Sequence, residues 1–243
     1  MIRPIPIALA CCALLAAGAR AQTTGTHADV RFDRLSPGAD SMYVYVVLRD
    51  RQVYAGTVHD ELRSVAQNGS PALLRVYRSN MGILGVRVDT MISAVPSGAT
   101  LYASSTGTQP WRVRYAADSI TGTRTDAQGV SRRIARAFRG PAYDGTMFDM
   151  MLRAAPLAQG YQFRVNAYHA MADSAMTVTA TVAGSELVEV EGSRPVDAWR
   201  VNVDFAGTEV TMWIDQNTRA LVRQLIQSPP YGAMLMTRVP PRP

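Results

Sequence analysis

The densest group of titratable side chains in the chain is His59-Asp60-Glu61. A histidine beside two carboxylates can hold a metal ion or relay a proton, so this triplet is the candidate centre of a metal-dependent or hydrolytic enzyme. Adjacent residues on a strand point to opposite faces, however, and the three converge only where the backbone turns. An exposed turn is the plainer reading. The other histidines, His27 and His169, lie far apart in sequence, and no H-E-x-x-H or H-x-x-E-H spacing occurs. A serine hydrolase would need a G-x-S-x-G elbow, which the chain lacks. A phosphate-cradling G-x-x-x-x-G-K-[ST] loop needs lysine, and the chain has none. The residues therefore favour a non-enzymatic protein with no catalytic set, no cofactor and no metal site.

Two other groups bear on binding. Trp111-Arg112-Val113-Arg114-Tyr115 interleaves aromatics with arginines, as stacking platforms for single-stranded nucleic acid do. On a strand, Trp111 and Tyr115 share one face and the arginines the other. Core-in, charge-out explains the pattern, and nucleic acid is not an expected partner. Further on, Met147, Phe148, Met150, Met151 and Leu152 recur at helical spacing, with Asp144 as a suitable N-cap and Pro156 as a stop. This predicts one amphipathic helix of about ten residues. Methionine fills irregular core gaps and also serves adaptable binding surfaces. The helix either plugs the open side of a curved sheet or forms the lid of an apolar cavity. In the second role, ligand would touch Met147, Phe148, Met151 and Leu152 on the helix, with Trp111 or Tyr115 on the sheet.

Most of the remainder reads as strands. Residues 184–225 are the clearest part, with short alternating runs broken at Ala206-Gly207 and Gln216-Asn217-Thr218. Trp199 and Trp213 are expected to face the core as neighbours, with Asp215 paired to Arg219 or Arg223 across the hairpin. Upstream, the runs 41–48 and 52–58 form a hairpin around Arg49-Asp50-Arg51, and further strands fall at 72–78, 86–94, 100–105, 111–116, 119–125 and 131–138. With 161–169, 176–182 and a last run at 233–239, the count is about 12 to 14 strands. The expected fold is mainly β: a strongly curved antiparallel sheet, a half-barrel-like meander, with the helix packed on its concave side.

Residues 1–21 read as a signal peptide, with Arg3, an apolar run and Ala19-Arg20-Ala21 before Gln22. The run is shorter than the about 20 residues a spanning helix needs. The alternative to cleavage there is a lipid anchor at Cys11 or Cys12. Removing 21 of 243 residues leaves 222, and loses both cysteines, Arg3 and Arg20, so the formal charge falls from +6 to +4. The mature chain would then have neither disulfides nor thiolate chemistry. Residues 22–40 read as a polar leader with a short strand at Val30-Arg31-Phe32, 41–239 as one β-rich domain, and 240–243 as a Pro-rich tail. Location is expected to be exported, periplasmic or outer-membrane associated, without a membrane span. A basic surface built from arginine suits lipid headgroups or cell-envelope polymers, and a cell-envelope protein is a further expected partner.

The order of meander, single helix and final strand module resembles a family of exported Gram-negative proteins with an uncharacterised domain of unknown function. The matching residues are Thr100-Leu101, Gly184 and Glu186, Asp197-Ala198-Trp199-Arg200-Val201, Trp213-Ile214-Asp215, Thr218-Arg219 and Leu221-Val222-Arg223, within residues 48–223. Tyr102-Ala103 stand where that family often has proline. The family is in turn distantly similar to the lipoprotein-carrier superfamily, a half-barrel closed by helices over an apolar cavity. That similarity implies a hydrophobic or amphiphilic ligand, such as an acyl chain, and no catalysis.

Overall fold

The computed structural model describes residues 24–49, 51–82, 85–138, 140–227 and 232–239. The signal segment with Cys11 and Cys12, and the Pro-rich tail, lie outside the described residues. The first half of the sheet comprises β1 (Thr24–Gly25), β2 (Gly38–Leu48), β3 (Arg51–Gln67), β4 (Ser70–Asn80), β5 (Val86–Ala94), β6 (Thr100–Ser105), β7 (Trp111–Tyr115), β8 (Ser119–Thr125) and β9 (Ser131–Ala137). A 3-10 turn at Gly145–Met147 runs into helix α1 (Phe148–Ala154). The second half follows as β10 (Gln162–His169), β11 (Ser174–Val188), β12 (Val196–Phe205), β13 (Thr208–Asp215), β14 (Leu221–Gln227) and β15 (Ala233–Arg238).

All fifteen strands form one sheet, ordered β1-β10-β11-β12-β13-β14-β15-β2-β3-β4-β5-β6-β7-β8-β9. Every ladder is antiparallel except the short one between β1 and β10. Side-chain alternation explains the layering. In β7, Trp111, Val113 and Tyr115 are buried and Arg112 and Arg114 exposed, as a sheet with one solvated face requires. Bulges bend the strands inward, one at Val44/Tyr45 opposite Gly56 and another at Val182/Gly184. Gly56 has φ +156, and a Cβ there would lie 1.9 Å from the Asn80 carbonyl oxygen. Only glycine lets β3 and β4 approach at this bend.

The sheet curls but does not close. Across the seam between the β8–β9 pair and the β10–β11 hairpin, side chains replace the backbone ladder: Arg136 Nη2 lies 2.7 Å from Asp173 Oδ2, and Arg124 Nη1 donates to Met171 O at 3.3 Å. Helix α1 fills the concave side. Its last carbonyls are held by arginines, Ala154 O accepting from Arg34 Nη1 at 3.1 Å and Ala155 O from Arg219 Nη1 at 2.8 Å. Alternate turns of an antiparallel meander lie at one end, and here the two ends differ. One is plugged by Val30, Phe32 and Leu35, all buried, with Phe32 N donating to Pro96 O. The other carries the connections after β2, β4, β6, β8, β10, β12 and β14. Among the described residues no helix is long and apolar enough to cross a membrane.

The expected sheet, its hairpins and the helix on its concave face are all present. Four local expectations change. Residues 30–32 form no strand, because a 3-10 turn at Phe32–Arg34 drives Phe32 inward. His59-Asp60-Glu61 is the middle of β3, not a turn. Trp199 packs on the main core, but Trp213 lies on the opposite face in a small cluster with Val188, Val190 and Val222. There its Nε1 donates to Glu186 Oε2 at 2.6 Å. Asp215 pairs with neither Arg219 nor Arg223. Its Oδ1 accepts from Asn217 N and Thr218 N at 2.7 and 2.9 Å, so the turn satisfies the carboxylate locally.

Candidate functional site

Asp144 starts the helical segment, as expected. Its Oδ1 accepts from Thr146 N at 2.9 Å and Thr146 Oγ1 at 2.5 Å, and Tyr115 donates to its Oδ2 at 2.6 Å. Asp144 is fully buried, and burial raises its carboxyl above the ordinary value of 3.8 despite those donors. Burial, with Asp144 beside it, also pushes the Tyr115 phenol well above its usual range, so it stays a donor. An acid whose folded value is raised contributes stability that is full below 3.8 and lost as pH rises through the raised value. Asp144→Asn keeps the cap acceptor and removes that titration. Its urea midpoint is expected to gain on the wild type steadily as pH rises from 3.8, and a pH-independent difference would refute the assignment.

One turn further along, α1 is fastened to the sheet by a buried cation. Arg75, on β4, is 5 % exposed. Its Nε and Nη2 donate to the two carboxylate oxygens of Asp60 at 2.8 Å each, while Nη1 and Nη2 donate to Asp149 Oδ1 and Oδ2 at 2.8 and 2.7 Å. Arg153 Nη1 lies 3.7 Å from Asp60 Oδ2, and the Arg75 guanidinium lies over the Tyr77 ring at 5.1 Å. Burial opposes the charge on Arg75, but Asp149 and Asp60 raise its pKa well above the usual arginine value. Burial would likewise raise Asp60, yet Arg75 and Arg153 hold it below 3.8. Two aspartates and two arginines leave this cluster neutral.

Beside the clamp, between α1 and strands β2 to β5, β14 and β15, lies a cavity of about 470 Å³. Its walls combine apolar side chains with paired charges and are rich in methionine, with Met42, Met81, Met91, Met234 and Met236 from three strands and one connection. Met42, Met91 and Met236 are deep, whereas Met81, Gly85, Arg87 and Met234 mark its mouth at the end opposite Phe32. Each of the four lining carboxylates already holds an arginine: Asp40 with Arg238, Asp60 and Asp149 with Arg75, and Asp89 with Arg87 at 2.8 Å. His169, at the rim, has its pKa lowered by burial.

Of the six candidate contact residues, Phe148 lines this cavity, packed against Phe205 with ring centroids 5.0 Å apart. Met147, Met151 and Leu152 are buried in the core beneath the helix, and Met147 Sδ accepts from Thr100 Oγ1 at 3.0 Å. Trp111 and Tyr115 are buried on β7, away from this cavity. The titratable triplet is split: Asp60 faces inward to Arg75, while His59 meets Ser41 Oγ at 3.1 Å and Glu61 meets Arg63 at 2.6 Å on the outer face. Among the described residues no three His, Cys, Asp or Glu side chains are placed to hold a metal ion. The sequence reading missed Arg75, Asp149 and the cavity methionines. The available clue was a charged residue in the inward register of Leu73-x-Arg75-x-Tyr77 and of Val58-x-Asp60-x-Leu62.

A curled antiparallel sheet with one helix clamped inside and a cavity beside the helix defines a barrel-like β protein. The chain belongs to the family described as protein of unknown function (DUF3108), whose pattern matches residues 51–238. The expected membership of a family with an uncharacterised domain is therefore met. Among solved structures it is similar to a beta-barrel-like protein of domain of unknown function DUF1849 from Brucella abortus. That likeness has a TM-score of 0.53 at 12% identity over 86% of this chain and 97% of that one. At this identity the likeness shows the fold alone. No curated protein matches the chain.

Proposed function

We propose that the protein holds a hydrophobic or amphiphilic ligand, such as an acyl chain, in the cavity between sheet and helix. We place this role in an exported, periplasmic or outer-membrane associated setting. The cavity itself carries the reading: about 470 Å³ falls within the about 300–1,000 Å³ of small-molecule sites, and its methionine walls can repack around differing chains. The internally paired carboxylates and arginines offer no free charge at depth, so the buried portion of the ligand is apolar and any headgroup stays at the mouth. The N-terminal signal-like segment supports the location.

The test is native mass spectrometry of protein purified gently from its own source. A discrete added mass that extracts into organic solvent is expected. Ile226 lines the cavity and is only half-buried, so Ile226→Trp fills space without overpacking the deep core. That variant is expected to lose the added mass while keeping its unfolding midpoint. A clean apo mass for the wild-type protein would overturn the reading and leave a scaffold.

A further inference from the structure

Among the described residues, seven large apolar side chains are exposed by 42% or more. Six of them share one end of the sheet. Leu48 closes β2, and Val53 and Tyr54 face Val46 and Tyr45 across the β2–β3 hairpin. Val86 opens β5, Val130 precedes β9, and Met171 sits in the turn between β10 and β11. These connections all lie at the cavity-mouth end. The seventh, Leu187, stands near the far end of β11.

We infer that this rim docks on an anionic lipid bilayer, with the cavity mouth facing the membrane. The apolar side chains are spread over four separate connections, with Leu48, Val53 and Tyr54 together on the β2–β3 hairpin and the other three each on a turn of its own. A rigid protein partner would need a matching hole for each, whereas a fluid acyl boundary accepts them all. Arg49 and Arg51, both exposed, stand between Leu48 and Val53 in sequence and, with Asp50 between them, leave the hairpin tip one net positive charge that matches anionic headgroups. Tyr54 packs edge-on against Tyr43 and Tyr45 with centroids 6.0 Å apart, an arrangement of amphipathic rings suited to the membrane–water boundary. The β6–β7 connection at residues 106–110 and the turn at Ala206–Gly207, flanked by Asp204 and the exposed Glu209, are the polar parts of the rim.

Docking does not require the ligand reading, and the two fail separately. In co-sedimentation with vesicles of phosphatidylethanolamine and phosphatidylglycerol, the wild-type protein is expected in the pellet. The double variant Leu48→Asp with Val53→Asp is expected to bind roughly tenfold more weakly, since it replaces inserted apolar groups with charges that repel the surface. Leu187→Asp, at the other end, is expected to bind as the wild type does, and so is the cavity-filling Ile226→Trp. Failure of the wild-type protein to sediment, or an equal loss from Leu187→Asp, would overturn the proposal and point to a protein partner for the rim.

Discussion

Arg75→Met is expected to lower the unfolding free energy by about 3–5 kcal/mol, read as a fall in urea midpoint at unchanged slope. The cause is what remains behind. Asp60 and Asp149 would stay buried on facing elements with their shared counter-charge gone, and α1 would lose its fastening to β4. Replacing all three residues together, with Asp60→Leu, Arg75→Met and Asp149→Leu, removes the orphaned charges as well. The triple variant is expected within about 1 kcal/mol of the wild type, because a buried ion cluster is often matched by apolar side chains of similar volume. If Arg75→Met were as benign as the triple change, the clamp would be a passive ornament of the core. The intact clamp also has an acid limit. Asp60 is held below its ordinary 3.8, so its contribution is present above that value and lost as pH falls through the lowered one.

The second large effect is expected at Phe32. Its ring is 0% exposed and packs against Gly98, where a Cβ would come within 2.5 Å of it. Phe32→Ala should cost about 3–5 kcal/mol, the range for emptying a buried aromatic site whose walls cannot collapse. Thermal unfolding followed by far-ultraviolet circular dichroism measures it directly. A loss under about 1 kcal/mol would mean that residues 30–35 merely rest on the barrel end and do not plug it.

Much of this architecture was legible from local patterns. Trp111-x-Val113-x-Tyr115 announced its buried face, and the turns after Val47-Leu48, Phe205 and Asp215 fell where glycine, asparagine or aspartate interrupts a β-branched run. Asp144 and Pro156 bracketed the helical segment. The clamp was harder to see, because its members are far apart: Arg75 and Asp149 are separated by 74 residues. Reading His59-Asp60-Glu61 as a surface turn hid the clue, since three consecutive polar residues suggest solvent when only the middle one points inward. The cavity was illegible for a related reason. Its methionines come from both ends of the chain, and an empty space between them is a property of the assembled walls rather than of any segment. Helix periodicity identified the correct apolar stripe, but most of that stripe packs downward and only Phe148 faces the void.

The sheet order carries one further consequence, for the history of the chain rather than its finished state. β2, one of the first strands made, finds its outer neighbour in β15, where Met42 lies opposite Arg238 near the end of the sequence. Until those last residues emerge, the β2–β3 hairpin presents a bare row of amide and carbonyl groups flanked by Tyr43 and Tyr45. Such an edge templates pairing with other chains, and contacts this distant in sequence form slowly. A polypeptide delivered from its N-terminus therefore carries this edge of β2 unprotected until β15 follows it. The burden of keeping it soluble falls on whatever accompanies it during synthesis, and ends only when β15 pairs with β2.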